Sequence, residues 1–250
     1  MSVACVPALI LRGFAYGDTS RVLRLLTPDH GVIGAIARGA RRPRSRFSAL
    51  LDPFGEGVAV LHFRDGRDLQ TLTAFDLTRS RRELGRDLRR YGAASLVAEL
   101  LMRTATTTAS PALFARATEG LDRLERAGPE DVEAVGLAIA WSLVDHLGFG
   151  PELDVCTLCG RPLETSEDAV FDYGAGGVRC SDCAGGDGAR LPASARADLA
   201  QLVSARAPRL ERTYGHWVLF ERFLAFHVLD RAPLKSLAFL LDVRRSEAAP

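Results

Sequence analysis

Two periodicities divide the chain. Through residue 78, short aliphatic and β-branched runs alternate with Gly- and Asp-containing turns. Ala8–Phe14 leads into Tyr16-Gly17-Asp18, Arg21–Leu26 into Thr27-Pro28-Asp29-His30-Gly31, and Val32–Ala37 follows. Val58–Phe63 then turns at Asp65-Gly66 into Leu69–Ala74. Such runs predict five strands that fit a small closed barrel. Arg38–Ser48, polar and punctuated by Gly39 and Pro43, is expected to be a loop between the third and fourth strands.

After Arg79 the apolar spacing becomes helical. Leu84, Leu88, Leu96 and Leu100 fall at helix intervals, weakened by Gly85 and Gly92. Ser110-Pro111 offers an N-cap followed by an N1 proline ahead of Leu113, Ala117, Leu121 and Leu124. Val132, Val135, Ile139, Leu143 and Leu147 form another stripe ending at Gly148. Helical spacing resumes at Ser194, continues through Trp217, Phe220, Phe223 and Phe226, and returns over Ser236–Leu241. The expected fold class is multidomain α+β: a barrel over 1–78, a discontinuous helical domain over 79–150 and 192–250, and an insertion over 151–191. No apolar run approaches the roughly 18 residues of a membrane span. No basic residue precedes the apolar stretch from Val3, so no secretory signal is read there.

The formal net charge of +1 hides an asymmetry. Residues 1–90 hold 16 Arg, no Lys and 9 acidic residues, giving +7, and residues 91–250 balance this with −6. Because Lys235 is the only lysine and alanine is abundant, arginine content alone says little and its clustering says more. Arg38, Arg41, Arg42, Arg44 and Arg46 lie within nine residues, and no acid occurs from Val32 to Leu51. A guanidinium is permanently charged and grips phosphate through a bidentate fork. The loop is therefore a candidate nucleic-acid site, set against the plain alternative of a solvated charge run. Arg79, Arg81, Arg82, Arg86, Arg89 and Arg90 are interleaved with Glu83 and Asp87, which fits a solvated helix face. Phe14, Tyr16, Phe47, Phe54 and Phe63 are available as base-stacking platforms or as core, and the sequence does not choose among them.

Cys156-x-x-Cys159 and Cys180-x-x-Cys183 have the spacing that points four thiolates at one centre. Soft sulfur in tetrahedral number selects Zn²⁺, and four protein ligands leave no position for water or substrate. One structural zinc is expected, in preference to a redox pair or two disulfides. Cys5 stands alone and is expected to be a small buried hydrophobe. From Gly150 to Leu191, eight acids outnumber Arg161, Arg179 and Arg190, so this segment should repel phosphate and either brace the helices or meet a protein.

Taken together, Tyr16-Gly17-Asp18, Leu25-Leu26-Thr27, Arg38-Gly39-Ala40-Arg41-Arg42 and Leu50-Leu51-Asp52-Pro53-Phe54 resemble the bacterial RecO family of recombinational repair proteins. Gly150-Pro151-Glu152-Leu153-Asp154-Val155-Cys156-Thr157-Leu158-Cys159-Gly160, Gly176–Cys180 and Leu234-Lys235-Ser236-Leu237 continue the match in the same order. The resemblance implies an amino-terminal OB-fold, a helical domain and an inserted zinc finger. It further implies a cytoplasmic, nucleoid-associated protein that binds and anneals single-stranded DNA. With the partner RecR it would load RecA recombinase onto DNA coated by single-strand-binding protein. Trp217, Phe220 and Phe223 are expected either to pack as core or to line a groove for the tail of single-strand-binding protein.

Other classes remain in view. A Walker A loop needs Gly-Lys-Ser/Thr, which the sole lysine, after Leu234, does not supply. No His-Glu-x-x-His or Gly-x-Ser-x-Gly occurs, and the expectation is a protein without a catalytic site. The alternatives are a zinc-containing interaction adaptor and a metal-dependent nuclease.

Overall fold

The computed structural model describes residues 2–64, 66–229 and 232–248; Asp65, in one expected turn, lies outside them. Five strands, β1 (Ser2–Tyr16), β2 (Ser20–Thr27), β3 (Gly31–Ala37), β4 (Glu56–Phe63) and β5 (Leu69–Arg79), close on themselves in the order β1-β2-β3-β5-β4. Neighbours are antiparallel except β3 and β5, whose parallel pairing over Gly34–Ala37 and Leu69–Leu72 seals the barrel. β1 starts six residues earlier than the apolar run suggests because Ser2–Leu9 is held by β4 along its whole length. The interior is filled by Val6, Ala8, Ile10, Leu23, Leu25, Ile33, Ala35, Ala37, Ala59, Leu61, Leu72 and Phe75.

Alternation along β1 breaks once. Ile10 pairs with Leu25 but Arg12 pairs with Arg24, so two steps on β1 match one on β2. This bulge reverses the phase of the strand. Before it, even-numbered residues face the interior; after it, Gly13 does, because a Cβ there would lie 2.9 Å from the core side chain Leu23. Arg12, Phe14 and Tyr16 consequently face outward. Cys5 is also exposed, contrary to expectation, because Val6 and Ala8 take the inward positions beside it.

Helices α1 (Leu88–Thr104) and α2 (Pro111–Arg126) pack on β1 and β2. Ser110 caps α2 as predicted, its Oγ accepting the Leu113 N–H at 3.2 Å. Arg81, expected on a solvated face, is instead fully buried. Its guanidinium donates to Glu56 at 2.6 Å, to Asp122 at 2.6 Å and to the carbonyls of Phe54 at 3.0 Å and Thr118 at 3.4 Å. By contacts the chain divides into two compact units, Met1–Arg126 and Ala127–Pro250. α1 and α2 thus cluster with the strands, inside the stretch expected as one helical domain.

In the second unit, α3 (Val132–Val144) is buried along every residue. Val132–Phe149 has the length and apolarity of a membrane span, beyond what the sequence pattern suggested, yet 72% of it is buried in protein. Trp141 meets Phe220 and Phe223 of α5 (Thr213–His227) at centroid distances of 4.8 and 5.0 Å. The four-cysteine segment forms a small antiparallel sheet, β6 (Ala169–Asp172) between β7 (Gly177–Arg179) and β8 (Ala189–Leu191). From α4 (Ala193–Val203), buried Arg196 donates to the Leu153 and Glu164 carbonyls. From α5, His227 Nε2 lies 2.6 Å from the Tyr173 carbonyl. A last helix, α6 (Lys235–Ala248), closes the chain.

Arg81 supplies a stability prediction. Arg81→Met keeps bulk but leaves the carboxylates of Glu56 and Asp122 without their shared cation. Arg79 still reaches Asp122 at 2.7 Å, so the cost should be about 3 kcal/mol, the low end for one partner of a buried pair. Urea unfolding of the variant against the parent measures it, and a midpoint shift of zero would refute the buried knot.

Candidate nucleic-acid interface and metal centre

Residues 38–50 run as consecutive tight turns, Arg42 N–H to Gly39, Ser45 N–H to Arg42 and Ser48 N–H to Ser45, each at 3.0–3.1 Å. The loop is pinned at both ends. Arg41 donates its N–H to the Thr19 carbonyl at 2.8 Å and its guanidinium to Gly17 at 3.1 Å. Phe47 and Leu51 plug the barrel core. Around these anchors Arg38, Arg41, Arg42, Arg44 and Arg46 are all exposed. Among the described residues none of the five is ion-paired.

Arg41 and Arg42 border an open groove of about 450 Å³ at the mouth of the barrel, lined also by Gly13, Phe14, Arg21 and Phe47. Gly13 keeps the groove open, since a Cβ there would also approach the Arg21 guanidinium to 3.1 Å. Arg21 was not singled out from the sequence. Its signal is available only after the strands are paired, because it sits opposite Ala37, the last residue before the loop. Of the five candidate aromatics, Phe47 and Phe54 are buried, Phe63 is half-buried against His30, and only Phe14 and Tyr16 are exposed.

In the second unit the sulfurs of Cys156, Cys159, Cys180 and Cys183 all lie within 4.8 Å of one another. Cys159 and Cys180 sulfurs are 3.8 Å apart, which is the edge of a tetrahedron built on Zn–S bonds of about 2.3 Å. Burial raises the Cys156 thiol, but N–H groups of Cys159, Cys180 and Leu158 outweigh it and bring the pKa down to about 6. Burial likewise raises Cys180, and the Arg161 guanidinium, with Cys183, more than offsets it. Cys183 moves the other way, pushed up to about 12 by the neighbouring Cys180 and Cys159 sulfurs and by burial. Cys156 and Cys180 are eased toward the thiolate, and Cys183 needs a neighbouring cation to reach it. The four residues therefore fit a metal site.

Trp217, Phe220 and Phe223 do not line a groove. All three are buried, joined to Trp141 in the core of the second unit, so the peptide-binding expectation for them is corrected and core packing holds. They project from α5 toward α3, the apolar side that a helix buries first. The exposed aromatics of α5 are Tyr214 and Phe226.

Residues 1–81 match the family model described as Recombination protein O N terminal, and residues 85–217 match Recombination protein O C terminal. The chain is 34% identical over 228 residues to the DNA repair protein RecO of Rubrobacter xylanophilus, covering 90% of each chain. It is 37% identical over 198 residues to that of Anaeromyxobacter dehalogenans, covering 78% of this chain and 76% of the relative. With the Bacillus subtilis protein it shares 33% over 187 residues, 74% and 70% of the two chains. Both matched segments and the relatives agree, and the chain belongs to the RecO family of DNA repair and recombination proteins.

Proposed function

We propose that this protein binds single-stranded DNA at the mouth of its barrel, read as an OB-fold, and anneals complementary strands during recombinational repair. The carrying observation is the set of exposed arginines on the loop, with half-exposed Arg21 beside them, around a groove with no carboxylate among its lining residues. Guanidiniums bind phosphate and leave base edges free, so two strands held on such a surface are screened from each other and can pair. Pairing supplies about 1.4 kcal/mol per stacked step, so neither ATP nor a catalytic side chain is required. Family resemblance supports the wider role: acting with RecR, in the cytoplasm and at the nucleoid, to load RecA onto DNA coated by single-strand-binding protein.

We assign zinc to Cys156, Cys159, Cys180 and Cys183. Four sulfurs close the coordination sphere, so the ion when bound supplies structure rather than a reactive water. Arg196 and His227 tie the same segment to α4 and α5, consistent with a brace for the second unit.

Two outcomes test the DNA reading. Changing Arg41, Arg42 and Arg44 to glutamate should weaken single-strand binding and reduce its salt slope by about 0.7 per lost phosphate contact. The same variant should slow annealing of complementary strands at low salt toward the protein-free rate. An unchanged slope and annealing rate in the folded variant would leave the interaction-adaptor reading in place.

The metal has its own test. Elemental analysis of freshly purified, reduced protein should find about one zinc per chain. Replacing Cys156 and Cys183 with serine should remove it and lower the unfolding midpoint by roughly 10 °C, at about 3 °C per kcal/mol lost. Single-strand affinity should change little, because the ligands lie outside the basic unit.

A further inference from the structure

Beyond the bulge, β1 carries Arg12, Phe14 and Tyr16 on one outward face, at about 6.6 Å per two-residue step. Large hydrophobic residues on a barrel exterior are usually covered, and Leu9 and Leu26 are. Phe14 and Tyr16 are 46% and 55% exposed, and neither ring meets another aromatic ring among the described residues. Arg12 pairs directly with Arg24 across the strands, both exposed and without a carboxylate partner among the described residues. Like charges facing each other across a sheet are destabilising. Gly34 of the third strand pairs with Arg24, whose guanidinium lies across it, 3.2 Å from where a Cβ would stand; Leu69 and the Asp68 carbonyl crowd that position more closely, at 2.7 and 2.8 Å. Two unpaired cations beside two bare rings form a surface complementary to a chain of phosphates with unstacked bases.

We propose that Phe14 and Tyr16 are a two-base stacking platform for single-stranded DNA, and that Arg12 and Arg24 hold the adjoining phosphates. The platform is continuous with the basic groove, of which Phe14 is a wall. It adds to the phosphate-gripping reading a term that depends on the bases themselves. Stacking occupies the faces of the bases and leaves their pairing edges open, so it is compatible with annealing.

The test compares a thymine homopolymer with an abasic strand of the same length and charge, both binding the full-length protein. The thymine strand should bind about thirtyfold more tightly, the lower bound for two stacked bases. Phe14→Ala with Tyr16→Ala should erase that difference, so that the thymine and abasic strands bind the variant equally. Phe14→Leu with Tyr16→Leu, which keeps apolar bulk without a ring, should do the same. Arg12→Gln with Arg24→Gln should weaken both strands and lower the salt slope by about 1.4, two phosphate contacts at 0.7 each. Equal affinity of the parent protein for the two strands would overturn the platform even if the aromatic variants failed to fold. The platform and the loop reading fail separately. Loop variants weaken both strands alike, so a preserved thymine preference with an inert loop would support the platform and refute only the loop.

Discussion

A buried guanidinium organises the amino-terminal unit. Arg81 sits where β5 ends and the helices begin, and the carboxylates and carbonyls it touches come from β4, from the segment before it and from α2. A cation removed from water has to be surrounded by acceptors, and those acceptors must stay put. Glu56 and the Phe54 carbonyl are therefore fixed, and with them the carboxyl end of the long connection between β3 and β4. Phe54 adopts φ of 66° there, a conformation that a non-glycine residue keeps only under tertiary constraint. With Phe47 and Leu51 in the barrel core, the far side of the connection cannot drift. What is left at the surface is the arginine-rich run of turns before it. The exposed cations are presented on a frame fastened by a buried one.

The two units handle charge in opposite ways. In the first, arginines that face solvent at the barrel mouth lack carboxylates, while the carboxylates of Glu56, Asp122 and Glu125 are gathered around Arg79 and Arg81. In the second, Glu152, Glu167, Asp168 and Asp172 of the cysteine segment are engaged locally. Glu167 holds Arg161 in a two-pronged contact at 2.6 and 3.0 Å, and Asp172 accepts from Arg179 and from the N–H groups of Gly174 and Ala175. Arg161 also lies against the Cys180 sulfur, where its charge favours the thiolate. A surface that grips phosphate, as proposed for the loop, and a cluster of cysteine sulfurs have opposite electrostatic needs, and the exposed arginines and the cysteines lie in separate stretches of the sequence.

Much of this was legible in the sequence because it follows from local rules. Strand runs between turn residues, the Ser110-Pro111 cap and paired cysteines each declare themselves within a few positions. Arg81 could not be told from Arg82, its exposed neighbour, because burial of a charge depends on acceptors 25 to 41 residues away. Arg21 became part of the groove only through strand pairing. The bulge between Ile10 and Arg12 is the least legible feature of the strands. Strict alternation from Val6, Ala8 and Ile10 would send Arg12, Phe14 and Tyr16 into the core, and nothing local marks the extra residue. For α5 the pattern marked the apolar side correctly, and only packing against Trp141 decided that Trp217, Phe220 and Phe223 were interior.

The topology of the barrel also sets when it can work. Ser2 pairs with Phe63 and Gly34 with Leu69, so neither seam can close until most of the unit has been synthesised. Pairings so distant in sequence carry a loop-closure cost and form late. Until they do, β1 presents an open edge, and the arginines of the connecting loop are scattered along a flexible segment rather than gathered at a mouth. A ribosome-bound chain stopped before β5 would carry the charges needed for polyanions without the surface that arranges them. On the proposed reading, barrel closure is therefore also the step that makes the protein competent to hold a strand.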